Sequence, residues 1–361
     1  MCRRVLNAIL VIALLSEVTC QALAVGVSAQ SAILIEQSSG RVLYENNADE
    51  ERLIASITKI MTAVVALEHG ELSARYQVTS ADMVEGSSMY LQVGEELTLE
   101  ELLYGLMLVS GNDAALAVAH CVSGEIEDFV ALMNDTARAL GMTHTSFANP
   151  NGLDADSHYS SARDMARLTA YALENEIFRR IVSTEYVTIG ERYLKNHNKL
   201  LSLYEGCLGV KTGYTKAAGR TLVCAAQRDG MELICVTLKD GNDWNDHTAL
   251  FDFGFAAYRM ETPVTMGQKL AQVVVCGGEK SVVMLAAERA LSYPVTGDEQ
   301  LSVKVMAPAF VAAPITAGQV LGTVSAYLNG EEVASVDLVA MESVALAEAE
   351  VQKGFWRRIF Q

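Results

Sequence analysis

The sequence predicts an α/β protein with two domains, a larger one that mixes helices and strands and a smaller one built from strands. Two apolar runs, residues 220–227 and 231–238, flank an Arg-Asp-Gly turn, which is the pattern of an antiparallel hairpin. Apolar residues recur at three- and four-residue steps through 57–67 and 99–108, as in buried helices. From Glu261 onward, short β-rich runs separated by Gly or Pro replace that spacing. The chain has 361 residues, enough for two cores.

The composition excludes several classes of protein. The chain is 51% hydrophobic and 20% charged, which is unlike a disordered or fibrous protein. Its formal net charge is -17 and its pI is about 4.8. A protein that neutralises phosphates needs a basic face, so we expect no nucleic-acid partner.

The N-terminus has the pattern of a targeting segment. Arg3 and Arg4 precede an apolar run at residues 5–15, and small-residue sites follow at 22–24 and 27–29. The run is too short for an ordinary membrane-spanning helix. We therefore predict that residues 1–29 are a secretory signal peptide and that the protein is exported.

Residues 30–260 are predicted to form the larger domain, which begins with a hairpin. Its strands are residues 32–36 and 41–44, joined by a Ser-Ser-Gly turn. Later in this domain, a short polar connection joins the helix at 99–108 to another at 114–121. That connection is compatible with a plain turn bearing helix-capping residues, and also with a functional loop.

Residues 261–342 are predicted to form a small β-rich domain, and residues 343–361 an amphipathic tail. In the tail, apolar side chains including Trp356 follow helical spacing, while Lys353 and Arg357 lie on the opposite side. A basic helix rich in aromatic residues suits a membrane surface. The alternative is a tail helix that packs on its own domain.

No metal or cofactor is predicted. The 6 histidines show no metal-ligand spacing. Five of the 7 cysteines follow the predicted leader, an odd set without paired short spacings, which indicates neither a zinc site nor a disulfide framework. Cys224 and Cys235 are nevertheless candidates for a cross-link, because they lie on neighbouring predicted strands.

The sequence Ser56-Ile57-Thr58-Lys59 places a serine at the start of an apolar helix and a lysine one turn further on. Residues three apart share one helix face, so the Lys59 amine can reach the Ser56 hydroxyl. First-turn N–H groups would point at an oxyanion formed there. A serine hydroxyl needs such a base to act as a nucleophile. The spacing alone also fits a capping serine followed by a surface lysine.

Two further short motifs follow in order, Ser110-Gly111-Asn112 on the inter-helix connection and Lys211-Thr212-Gly213 on a predicted strand. Each motif is ordinary by itself. Together with the serine–lysine pair, they match the active-site elements of penicillin-recognising serine acyltransferases.

With these motifs in place, the chain resembles the low-molecular-weight penicillin-binding proteins, specifically the serine-type D-alanyl-D-alanine carboxypeptidases. The resemblance covers nearly the whole chain. It implies the penicillin-binding fold, an antiparallel sheet flanked by helices, with a small β-rich C-terminal domain. The matching stretches are residues 55–62, 110–115, 149–153, 158–164, 196–201 and 209–215.

The resemblance implies an enzyme that removes the terminal D-alanine from peptidoglycan stem pentapeptides. Ser56 would be the nucleophile, Lys59 the base that takes its proton, and Ser110 the relay to the leaving amine. The same serine would be acylated by β-lactam antibiotics. Such an enzyme works at the extracytoplasmic face of the membrane or in the cell wall, without a cofactor.

The resemblance also implies a set of substrate-binding residues. Asn112 would bind the peptide amide, and Lys211 would keep its charge and hold the terminal carboxylate with Thr212. The N–H groups of Ser56 and Tyr214 would form the oxyanion hole. Those substrate-binding residues are Asn112, Lys211, Thr212, Gly213 and Tyr214.

Two alternatives remain open at this point. A class A β-lactamase would carry Asp between the Ser and Asn of the second motif, where this chain has Gly111, and a Glu-x-x-Leu-Asn run, which we do not find. A catalytically silent cell-wall binding protein would keep the fold without the activity. The intact motifs disfavour the second alternative.

Overall fold

The structure is a computed structural model that describes residues 25–348. Its α/β architecture with a separate β-rich domain confirms the predicted fold class. The helices of the described residues are α1 (Lys59–His69), α2 (Leu99–Leu108), α3 (Asn112–Ser123), α4 (Ile126–Ala139), α5 (Ala162–Ala172), α6 (Glu176–Ser183), α7 (Leu200–Leu203) and α8 (Asp243–Ala257).

The strands fall into two groups, one in each domain. Those of the first are β1 (Ser31–Glu36), β2 (Val42–Asn46), β3 (Arg75–Gln77), β4 (Glu96–Thr98), β5 (Tyr186–Ile189), β6 (Arg192–Lys195), β7 (Cys207–Thr215), β8 (Gly219–Arg228) and β9 (Met231–Leu238). Those of the second are β10 (Arg259–Val264), β11 (Lys269–Cys276), β12 (Val282–Ala287), β13 (Leu291–Val295), β14 (Leu301–Met306), β15 (Phe310–Ala312), β16 (Val320–Leu328) and β17 (Glu331–Ala340).

The first domain is organised around a five-stranded antiparallel sheet in the order β2-β1-β9-β8-β7. The predicted hairpin at its centre is confirmed, with Arg228 paired to Met231. Asp229 and Gly230 both have positive φ, at 50° and 79°. Two such residues make the tight turn whose twist matches that of the flanking strands. The β8 strand of this hairpin also pairs with β7, which lies at the edge of the sheet.

The sheet is buried on both faces, and alternate residues of β9 show how. Ile234 and Val236 belong to the core shared with the α1–α6 layer, whereas Leu233 and Cys235 belong to the core under α8. Side chains of successive strand residues point to opposite faces, so a strand covered on both sides must be apolar throughout. This accounts for the continuous apolar run of β9.

The five cysteines of the described residues carry free thiols. Cys224 on β8 and Cys235 on β9 are directly paired in register, yet the structure leaves them unlinked. The expected cross-link is therefore absent from the described fold. Both side chains are fully buried and act as small apolar residues in the α8-side core.

The second domain is a six-stranded sheet in the order β14-β16-β17-β12-β11-β15, with the β10–β13 pair beside it. Val273, Val283, Leu285 and Leu338 lie in a core separate from those of the first domain. A small domain with its own core agrees with the prediction made for the residues after 260.

One arginine joins the two domains. Arg41, from the β1–β2 hairpin, donates to the Pro294 carbonyl at 2.6 Å and to both carboxylate oxygens of Glu299 at 2.6 and 2.9 Å. Its guanidinium lies 5.2 Å from the ring centre of Tyr258 and 5.3 Å from that of Tyr293. The carboxylate of Glu299 raises the pKa of Arg41, and the guanidinium lowers that of Glu299. A partly buried, bidentate pair of this kind contributes more than an exposed ion pair.

The last described residues continue the second domain past the predicted start of the tail. Val344 is 1% exposed and exchanges two backbone hydrogen bonds with Ile315. The Ala347 N–H then donates to the Gly277 carbonyl at 2.9 Å. Most of the predicted tail, from residue 349 onward, lies outside the described residues. Between residues 25 and 348, no helix has both the length and the apolar character required to cross a bilayer.

The first described residues also belong to the fold. The Ser28 Oγ lies 2.8 Å from an Asp240 carboxylate oxygen and 2.9 Å from one of Asp246, and the Ser28 N–H donates to Asp246. Residues 25–29 fall within the predicted signal peptide. Cleavage at the small-residue site 22–24 would leave these contacts intact.

We expect Phe251→Ala to lower the free energy of unfolding by about 3–5 kcal/mol. Phe251 is fully buried in the core between α8 and the sheet, so truncation leaves a cavity there. Chemical denaturation measures the change. Ala249→Ser, on an exposed position of α8, is the control and should stay within about 0.5 kcal/mol of the parent. Equal stabilities of the two variants would contradict this account of the core.

Candidate active site

Ser56 lies in a single 3-10 turn, Ala55–Thr58, and the α-helix begins only at Lys59. We predicted Ser56 in the first turn of an α-helix, and this detail was wrong. Side chains three residues apart eclipse one another in a 3-10 turn, which brings Lys59 directly over the serine. The Lys59 Nζ lies 3.1 Å from the Ser56 Oγ.

Lys59 is fully buried, and its amine is surrounded by three oxygen atoms. Besides Ser56, its Nζ contacts the Asn112 Oδ1 at 2.8 Å and the Asn151 carbonyl oxygen at 2.5 Å. Burial, reinforced by the nearby charge of Lys211, holds the pKa of Lys59 well below its usual value. A buried lysine with a depressed pKa can lose its proton near neutral pH and act as a base.

The second motif lies on the connection between α2 and α3. Ser110 is 4% exposed and has φ of 60°, a conformation that a residue other than glycine adopts only when its surroundings impose it. Asn112 begins α3, and its Nδ2 donates to the Glu85 carbonyl at 2.7 Å. Its Oδ1 meets Lys59, so the structure brings the second motif to the first.

The third motif lies on the edge strand β7, beside the 3-10 turn. Lys211 is 1% exposed, and its Nζ donates to the Thr212 carbonyl at 2.8 Å. A Cβ at Gly213 would lie 2.9 Å from the Ser56 nitrogen, so only glycine allows β7 to pass this close to the serine. Tyr214, the next residue, is 65% exposed.

The burial of Lys211 bears on the charge that we expected this residue to keep. The resemblance implies a lysine that keeps its charge, but burial lowers the pKa of Lys211 to about 7. Near pH 7 the free protein therefore carries this charge only part of the time. A carboxylate bound against Lys211 would favour the charged form and raise the pKa again.

Asp113 is a residue to which the sequence analysis gave no role, and it holds the loop facing the site. Its carboxylate is 3% exposed and accepts hydrogen bonds from the Met89 N–H at 3.0 Å, the Leu91 N–H at 3.1 Å and the Ser88 hydroxyl at 2.6 Å. The available signal was an acidic residue in the first turn of α3, directly after Asn112. Such a residue usually serves only to cap its own helix.

Two other groups also escaped the sequence analysis. The Asn151 carbonyl contacts Lys59. Every residue has a main-chain carbonyl, so the sequence does not indicate which one makes such a contact. The Thr221 hydroxyl donates to the Ile54 carbonyl at 2.9 Å and supports the chain just before the 3-10 turn. Both contacts join segments far apart in sequence.

Comparison with known proteins finds a matching family for each of the two domains. A family described as D-alanyl-D-alanine carboxypeptidase matches residues 17–242, and one described as penicillin-binding protein 5, C-terminal domain, matches residues 258–346. The chain is 36% identical over 338 residues to the D-alanyl-D-alanine carboxypeptidase DacF of Bacillus subtilis, covering 88% of this chain and 86% of that protein. It is 34% identical to DacC of Escherichia coli, covering 92% and 87%.

A solved structure extends the comparison to the fold. The crystal structure of penicillin binding protein 5 from Haemophilus influenzae superimposes with a TM-score of 0.75 at 29% identity. The match covers 89% of this chain and 98% of that one. The fold similarity therefore includes both domains.

We expect Asp113→Ala to release the loop at residues 88–91. The substitution leaves the buried N–H groups of Met89 and Leu91 without their acceptor, at a cost of roughly 1–3 kcal/mol each. Hydrogen exchange at these two amides should accelerate on the order of a hundredfold. Asp82→Ala, which removes a buried carboxylate of another turn, is the control and should leave them unchanged. Slow exchange at both amides in Asp113→Ala would refute this role.

Proposed function

The chain belongs to the D-alanyl-D-alanine carboxypeptidase family, and from this we propose that it removes the terminal D-alanine from peptidoglycan stem pentapeptides through an acyl-enzyme on Ser56. One observation carries the proposal for the site. The amine of Lys59 lies 3.1 Å from the Ser56 hydroxyl, and its pKa is depressed by burial. This is the arrangement that an activated serine requires.

In the first step, the Ser56 Oγ attacks the carbonyl carbon between the last two D-alanines. Its proton passes to the neutral Lys59 amine, and the carbonyl oxygen becomes an oxyanion. The N–H groups of Ser56 and Tyr214 would donate to this oxyanion, each contributing roughly 3 kcal/mol of transition-state stabilisation. The position of β7 beside Ser56, permitted by Gly213, supports this pairing.

Collapse of the oxyanion breaks the bond to the terminal D-alanine. The leaving amine takes a proton, which Ser110 would relay from Lys59, and the acyl group remains on Ser56. Water then attacks the ester carbonyl while Lys59 accepts a proton from it; the bond from the acyl carbon to the Ser56 Oγ breaks, Lys59 returns the proton to this oxygen, and the shortened peptide leaves. The contact of Lys59 with Asn112 supports the relay, because it draws the connection that bears Ser110 onto the serine–lysine pair.

Substrate binding would use the groups around this centre. The terminal carboxylate would lie against Lys211 and Thr212. The Thr212 hydroxyl would donate a hydrogen bond to it, and Lys211 would supply a positive charge when protonated. Asn112 gives one N–H to the Glu85 carbonyl, and the second N–H of the same Nδ2 would donate to the peptide carbonyl of the stem. A β-lactam presents a carboxylate and a reactive carbonyl in the same way, so it would acylate the same serine.

We also propose that the protein acts outside the cytoplasm and that its C-terminal segment associates with the membrane surface. The leader pattern and the basic, aromatic tail support this part. Fractionation of cells expressing the full chain or a chain that ends at residue 348 tests it. Loss of the membrane-bound fraction in the shorter chain is expected, and an unchanged distribution would count against the tail.

Release of free D-alanine from a peptide ending in Lys-D-Ala-D-Ala should depend on Ser56. We expect release by the parent and a loss of at least about a thousandfold in Ser56→Ala, because the nucleophile is gone. Penicillin should add its mass to Ser56 of the parent and should leave Ser56→Ala unmodified. The exposed Tyr186→Ala variant is the control and should keep both activities. Release by Ser56→Ala at the parent rate would exclude the proposed mechanism.

The pH dependence of kcat/KM should be bell-shaped. It should rise as Lys59 loses its proton, because the base must be neutral, and fall above pH about 7 as Lys211 loses its charge. Arginine remains charged throughout this range. The residual activity of Lys211→Arg should therefore lack the falling limb, and the same limb in both proteins would show that another group causes it.

A further inference from the structure

A buried hydrogen-bond chain runs from His158 to the backbone just before the candidate nucleophile. The His158 Nε2 lies 2.7 Å from the Thr58 Oγ1, and the Thr58 Oγ1 lies 2.8 Å from the Ala55 carbonyl oxygen. His158 is 1% exposed and Thr58 is fully buried, so water does not compete for these contacts.

The donors along this chain can be assigned without ambiguity. The Ala55 carbonyl only accepts, so the single hydroxyl proton of Thr58 goes to it, and the Thr58 oxygen must accept from the His158 Nε2. At the other ring nitrogen, the Ala148 N–H donates to the Nδ1 at 3.1 Å. The ring is therefore the neutral tautomer with its proton on Nε2.

The charged groups facing the ring agree with a neutral imidazole. Burial lowers the pKa of His158 to about 4, the Lys59 charge also lowers it, and the Asp154 carboxylate opposes them. The ring edge meets Phe147, with centroids 5.9 Å apart. In an imidazolium the Nδ1 would also carry a proton, which would point at the Ala148 N–H. The arrangement therefore persists only while the ring is neutral.

The last acceptor of this hydrogen-bond chain is important because the Ala55 carbonyl and the Ser56 N–H belong to one planar peptide unit. Fixing the direction of the carbonyl fixes the direction of the N–H, which points the opposite way. Ala55 has φ of 50°, a strained conformation that needs support from its surroundings. Gly152 lies so close that a Cβ there would overlap the Ala55 carbonyl oxygen.

We propose that His158 is a positioning residue that, through Thr58, aims the Ser56 N–H at the oxyanion. The inference rests on the proposed function, since it assigns a support to the oxyanion hole of that reaction. His158 is 1% exposed, and in this proposal it acts only through Thr58. Its effect should appear in the rate of the chemical step, where the oxyanion forms, and not in the initial binding of the acyl donor.

The test is the acylation of Ser56 by penicillin. Stopped-flow kinetics monitor the reaction, so that the affinity of the initial complex and the acylation rate constant are obtained separately. We expect His158→Ala and Thr58→Val each to lower the rate constant about a hundredfold, within the range for losing one oxyanion donor, with the initial affinity changed less than threefold. Thr58→Ser keeps the hydroxyl and should remain within about fivefold of the parent.

Two further variants separate positioning from general damage to the fold. The double variant His158→Ala with Thr58→Val should be no slower than either single variant, because both break the same chain. Thr169→Val is the matched control: Thr169 is equally buried and donates to the Met165 carbonyl at 2.7 Å, within α5. It should lose some stability but keep the acylation rate constant.

A spectroscopic readout tests the tautomer independently of catalysis. In nitrogen-15 NMR of the purified parent protein, His158 should show the neutral pattern with the proton on Nε2 from pH 8 down to about 5. A protonated His158 at pH 6, or a proton on Nδ1, would overturn the assignment.

The outcomes distinguish this inference from the proposed function. If the parent is acylated on Ser56 but His158→Ala and Thr58→Val acylate at the parent rate, the positioning role is wrong and the proposed function stands. If Thr58→Ser is as slow as Thr58→Val, or if the double variant is slower than both single ones, the hydroxyl chain is also refuted. A parent protein that is neither acylated nor releases D-alanine would refute the function itself.

Discussion

The burial of Lys59 beside Ser56 is the constraint on which the rest of the first domain depends. An ammonium group in a closed apolar layer is costly, and the structure meets that cost with three oxygen atoms supplied by separate segments. The second motif and the loop at residues 149–152 must both reach α1 for these contacts to exist. The same burial that penalises the charged amine favours its neutral form, which is the form that the proposed reaction requires.

Much of the fold could be predicted because its signals are local. The helix α2 has the predicted bounds, since its apolar stripe begins after Thr98, a residue that caps it together with Glu101, and stops at the polar connection. The β8–β9 hairpin follows from a turn whose residues tolerate positive φ. The second and third motifs likewise lie on the kinds of element that we expected, a connection between two helices and a strand. In each case, neighbours in sequence supply the determining interaction.

The parts that sequence reasoning missed depend on contacts between distant segments. The 3-10 turn at Ser56 is supported by Thr221, Gly152 and Gly213, none of which is near it in sequence. The pKa of Lys211 is lowered by burial, which only the assembled domain provides. A residue pattern records side-chain chemistry and spacing, but not which main-chain atoms end up as partners. The support by Asp113 could not be inferred for the same reason.

The backbone around Ser56 is enclosed by two glycines, Gly152 on one side and Gly213 on the other, and neither position has room for a side chain. This has an evolutionary consequence. A side chain at either position would displace the backbone of Ser56, so descendants that keep this backbone must also keep both glycines. Nearby positions with exposed side chains are not restricted in this way, and Leu153 is 38% and Tyr214 65% exposed. We therefore expect sequence variation near Ser56 to be greater at those exposed positions than at the two glycines.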